Sequence, residues 1–108
     1  MTHLAPTDED DLRQAVAEAA AEAVPLAIEG GGTKAAIGRP IQTARTLSTR
    51  AMTGITLYEP AEMVIGARAG TPLATVVAEL ARRDQALTFE PTDHRALLGT
   101  AGEPTIGA

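Results

Sequence analysis

Cysteine and tryptophan are absent from this 108-residue chain, and phenylalanine and tyrosine occur once each. Without a thiol there can be no disulfide and no thiolate-bound metal. The two histidines, His3 in the terminal tail and His94, are too far apart to suggest a metal site, so none is expected. With so few aromatic rings, any core rests on Ala, Leu, Val and Ile. Such a core buries little area per residue, and marginal stability follows. Lysine is nearly absent too: Lys34 stands alone beside eight arginines, and 14 acidic residues bring the net charge to −5. That balance argues against a nucleic-acid partner, which would want a basic face. No apolar run is long enough to span a bilayer. The first residues lack the basic-then-apolar order of a secretory signal. The expectation is a cytoplasmic protein, with any membrane attachment made through a partner.

What is present is a chain 44% hydrophobic, enough for one small folded unit. The acidic run Asp8 to Asp11 reads as a helix start with Thr7 as its cap, and Leu12, Val16, Ala19, Ala20 and Ala23 follow at helical spacing. Pro25 ends that helix near Val24. Strands are expected at 25–29, 45–49, 55–57, 63–67 and 87–89. Thr71-Pro72 reads as the capped opening of a second helix, with Leu73, Val76, Val77 and Leu80 on its apolar face. From Glu90 onward, Pro and Gly predict loop. Tyr58 reads as a structural residue, and His94 as a loop histidine without a placed partner.

Gly30-Gly31-Gly32-Thr33-Lys34 directly follows the strand pattern Pro25 to Glu29. Consecutive glycines let successive N–H groups converge on one point, Thr33 adds a hydroxyl, and Lys34 adds a cation. The composition describes a cradle for a phosphate or diphosphate. The P-loop is excluded because the order Gly-Thr-Lys is not Gly-Lys-Ser/Thr. The loose dinucleotide pattern G-x-G-x-x-A is satisfied by Gly30, Gly32 and Ala35, but Gly38 and Pro40 leave no room for the helix it requires. A tight turn, with Lys34 merely a solvated charge, is the plainer alternative.

Three further blocks accompany the glycines: Gly54 to Val76, Leu87 to Pro91, and Thr105-Ile106-Gly107. In this order the chain resembles the FAD-binding subunits of glycolate oxidases, within the vanillyl-alcohol-oxidase/p-cresol-methylhydroxylase (PCMH) type of FAD-binding domain. The resemblance covers most of residues 6–108. It implies an α/β fold, with a small sheet of mixed or parallel strands and two main helices. Residues 1–108 would be the N-terminal portion of the domain, apparently truncated. About 6–89 would be the first subdomain and the start of the second, and 90–108 a flavin-facing loop. It implies FAD as cofactor, held through Gly30, Gly31, Gly32, Thr33 and Lys34, and more loosely through Glu90, Pro91, Thr105, Ile106 and Gly107. Ala108 departs from the family, which usually has a second glycine there.

The function so implied is FAD binding within an oxidoreductase that oxidises a 2-hydroxy acid such as glycolate to the 2-oxo acid. Its partners would be the other subunits of a glycolate oxidase-like complex. No residue reads as catalytic. The alternatives are a truncated, non-enzymatic fragment that retains no flavin, and a Rossmann-type nucleotide-binding domain.

Overall fold

The computed structural model describes residues 2–107, so the expectation at Ala108 lies outside the described residues. The chain is a mixed helix-and-sheet structure whose strands form two small sheets. The first is parallel, in the order β1-β3-β2, from Thr2–Leu4 (β1), Leu26–Glu29 (β2) and Arg45–Ser48 (β3). The second pairs Ile55–Glu59 (β4) with Val64–Ala67 (β5) antiparallel, around a short turn at Pro60–Glu62. His3 therefore belongs to a strand, not to a tail. Its register against Thr46 gives β3 a neighbour on each side. That position explains why β3, the weaker strand pattern, is the most buried: Leu47 is 1% exposed.

Helix α1 runs Glu9–Ala21. Asp8, rather than Thr7, is its cap: the Asp8 carboxylate accepts the Asp11 N–H at 2.8 Å. Thr7 instead donates its hydroxyl to the Asp11 carboxylate. A carboxylate at this place satisfies an orphan N–H and complements the positive helix end, which a hydroxyl does less well. The helix closes before Val24, with Ala23 in the left-handed region at φ 55°. There the Val24 N–H reaches the Ala19 carbonyl and the Ala23 N–H reaches that of Ala20.

The two sheets meet at Gly70 and Thr71. A Cβ at Gly70 would lie 1.8 Å from the Thr49 carbonyl oxygen, so only glycine allows this approach. Thr71, 1% exposed, does not cap the next helix. Its hydroxyl accepts the Gly54 N–H and donates to the Gly54 carbonyl. Helix α2, Leu73–Ala81, opens from Pro72 with no side-chain cap, and buries Val76 and Leu80 while Val77 stays exposed. Tyr58 is structural: its hydroxyl donates to Gln85, which in turn bonds the Pro60 carbonyl.

Two expectations fail beyond α2. Leu87 to Phe89 pairs with no strand among the described residues, and Phe89 is 61% exposed. The stretch after Glu90 also contains a short helix, α3, at Arg95–Leu98. The Asp93 carboxylate accepts the Arg95 N–H and brackets its guanidinium, which starts the turn, and Gly99 at φ 65° ends it. Among the described residues no helix is long and apolar enough to cross a membrane.

Candidate functional site

Adjacent parallel strands place their carboxyl ends side by side, and ligands of α/β sheets bind at such ends. β2 and β3 are joined by residues 30–44 without an intervening helix. The turn at Thr33–Ala36 never becomes the helix that a Rossmann site needs. Gly30 to Lys34 emerges from β2 and lines a cavity of about 110 Å³ with Ile28, Glu29 and Ala35.

The main-chain polar groups of this loop are divided by type. The Gly31 carbonyl accepts from Arg50 Nη2 at 3.1 Å, and the Thr33 carbonyl from the Thr100 hydroxyl at 3.0 Å. The Gly32 and Lys34 carbonyls accept from the Ala35 and Ile37 N–H groups. None of the five N–H groups from Gly30 to Lys34 donates a hydrogen bond within the described residues. Yet Gly30 and Thr33 are buried. Buried N–H groups are nearly always paired, so the unpaired donors at Gly30 and Thr33 mark a place where an acceptor belongs. Lys34 is exposed and makes no ion pair among the described residues. Donors without acceptors, plus one exposed cation, suit a polyanion.

Gly31 has a different reason to be glycine than the sequence suggests. Its missing side chain faces the Glu103 carbonyl oxygen, 1.8 Å from where a Cβ would stand. The crowding comes from this chain's own backbone. Gly32, at φ 75°, supplies the left-handed residue of the loop.

A second cavity, about 360 Å³, adjoins the first at Lys34. Leu73, Phe89, Pro91, Thr92, Pro104, Thr105, Ile106 and Gly107 complete it. The last residues are held there by the chain from 69 to 73. The Leu73 N–H reaches the Pro104 carbonyl, and the Ile106 and Gly107 N–H groups reach the carbonyls of Thr71 and Ala69. Thr105 is buried at 7% exposure, and its hydroxyl has no hydrogen-bond partner. Thus the structure brings Lys34, Pro91, Thr105, Ile106 and Gly107 around one space. Glu90 is exposed and lines neither cavity. No group of three or more His, Asp or Glu among the described residues is placed to hold a metal ion.

A family model described as an FAD binding domain matches residues 3–107. The chain belongs to this family. Over 80 residues it is 45% identical to the glycolate oxidase subunit GlcE of Escherichia coli (strain K12). The match covers 74% of this chain and 23% of that protein, so the chain spans less than a quarter of that relative's length. No solved structure matches. The family match indicates FAD as the cofactor. The donor set fits that group, because FAD carries a diphosphate between its two halves. The free amides suit its oxygens, and Thr105, whose buried hydroxyl is unpaired, lines the adjoining cavity.

Sequence reasoning missed Arg50 and Thr100, which bond the loop's carbonyls, and Glu103, whose backbone closes on Gly31. For Arg50 the placement comes from the folded sheet: the register pairs Glu29 with Ser48, and Arg50 stands in the turn two residues past that pair, within reach of Gly31.

Proposed function

We infer that Gly30 to Lys34 grips the diphosphate of FAD, and that the chain is the FAD-holding part of an oxidoreductase acting on a 2-hydroxy acid such as glycolate. The observation that carries the first half is the division within the loop: its carbonyls from Gly31 to Lys34 are engaged and its N–H groups are free. Lys34, shared by both cavities, would neutralise charge between the diphosphate and the flavin-side space lined by Pro91 and Thr105 to Gly107. Glu90 would stand at the rim of that space. FAD, when bound, supplies the hydride acceptor for the alcohol carbon. This chain's residues bind and orient it. The substrate class rests on the likeness to a glycolate oxidase subunit. So do the proposed partners, the other subunits of such a complex. A cytoplasmic place, with any membrane contact made through those subunits, is part of the same reading, as is the role of residues 90–108 as a flavin-facing loop.

The test is an NMR titration of amide resonances with FAD, sodium pyrophosphate and riboflavin. FAD and pyrophosphate are expected to shift the Gly30 to Lys34 amides, and riboflavin, which has no phosphate, to leave them in place. Amides indifferent to FAD would remove the cradle. Glycolate is expected to bleach the flavin absorbance of the assembled, flavin-loaded protein. A flavin that stays oxidised would remove the substrate and leave the cradle standing.

A further inference from the structure

The diphosphate cradle is not held in shape by its own residues. In a trans peptide the C=O of one residue and the N–H of the next point in opposite directions. Whatever grips a carbonyl in this loop therefore sets the aim of the following N–H. The Gly31 carbonyl is gripped by Arg50, at 3.1 Å. The guanidinium also lies 3.9 Å from where a Cβ on Gly32 would stand. Glycines on both sides of this peptide would let it rotate freely, since neither carries a side chain to oppose the flip.

We propose that Arg50 is a positioning residue of the FAD site, fixing the Gly31–Gly32 peptide so that the Gly32 N–H is presented to the phosphate oxygens. The inference rests on the cradle reading above. Three features support it. Strand pairing delivers Arg50 to this place, because it lies two residues past the Glu29–Ser48 pair. Its own N–H bonds the Ser48 hydroxyl, which anchors its backbone. Arg50 has no carboxylate partner among the described residues, so its single grip on Gly31 leaves the other guanidinium donors uncommitted. A planar fork suits this task, since one N–H can hold the carbonyl while the charge stays beside the anion.

The experiment is the same titration with FAD, sodium pyrophosphate and riboflavin, on the wild-type chain and on Arg50→Ala, Arg50→Gln and Arg50→Lys. Arg50→Ala is expected to weaken FAD and pyrophosphate about tenfold, as for loss of one charge-assisted hydrogen bond. The riboflavin response is expected to stay unchanged, and the Gly32 amide to move most in the free chain. Arg50→Gln, too short to reach the carbonyl, is expected to lose the same tenfold, so the answer does not depend on the alanine variant folding. Arg50→Lys keeps a donor and a charge and is expected to recover part of the loss. Wild-type affinity in the alanine or glutamine variant overturns the role of Arg50 while the cradle stands. Losses that lysine does not recover at all, with amide changes spread through β2 and β3, reveal a general structural role and overturn it too. A wild-type chain whose Gly30 to Lys34 amides ignore both phosphate ligands overturns the cradle, and the role of Arg50 with it.

Discussion

Gly31 and Gly70 each sit where any side chain would strike a backbone carbonyl, Glu103 in one case and Thr49 in the other. The first fastens the glycine loop to the segment after α3, and the second fastens β4 and β5 to the parallel sheet. Gly70→Ala is expected to cost about 3 kcal/mol, the upper range for forcing atoms into a closed space. A urea unfolding midpoint lowered accordingly would show it, and an unchanged midpoint would mean the junction can yield. The glycine run was legible as a loop that something approaches closely. What approaches Gly31 was not legible, because Glu103 lies 72 positions away in the chain and no local pattern announces it. Thr71 misled for a similar reason. Thr-Pro ahead of an apolar stretch is a good local cap signal, but Gly54 claimed the hydroxyl through the tertiary fold.

Elements with strong internal periodicity were legible: α1, α2, β2 and β5 stand close to their expected positions. Those whose reason lies elsewhere were not. β1 exists because β3 has a free edge for it, and three residues carry no periodic signature of their own. Leu87 to Phe89 has strand-like composition but pairs with no strand among the described residues. α3 depends on one ion pair that composition alone does not reveal. The Arg95 guanidinium and N–H bond the Asp93 carboxylate and hold it at a pKa of about 2, below the ordinary 3.8. Arg95 also donates to the Gly102 carbonyl, so the pair clasps the chain just ahead of the second cavity. A depressed carboxyl pKa contributes stability that is present above pH 3.8 and lost as the pH falls toward 2. Following the Asp93 carboxyl carbon by NMR should give that low value, and Arg95→Ala, which removes the guanidinium and leaves the backbone N–H bond, is expected to raise it part of the way toward the ordinary range. The pair is exposed, so the titration is the measurable consequence.

The whole molecule is a thin slab, 47 × 34 × 16 Å, with a radius of gyration of 15.6 Å. A compact chain of this length would have about 13 Å. Its accessible surface is 7406 Å², against about 5,700 Å² for a typical monomer of its mass. Buried apolar side chains are few among the described residues: Ala19, Leu47, Met52, Val76 and Leu80. So thin a core gives little reserve, and ligand binding then contributes a large share of stability. FAD at 100 times its dissociation constant adds about 2.7 kcal/mol by mass action, which for a domain of this size raises the melting temperature by about 10 °C or more. A thermal melt with FAD beside one with riboflavin would measure it, and no difference between them would deny the diphosphate its part. The pairing of β2 with β3 carries one more implication, for how such a chain can change length over time. Residues 38–42 are exposed and line neither cavity, so an insertion there is expected to leave the site in place. One residue added between Ser48 and Arg50 would instead swing the arginine out of step with its glycine, so tolerance to insertion ends where the strands set the spacing.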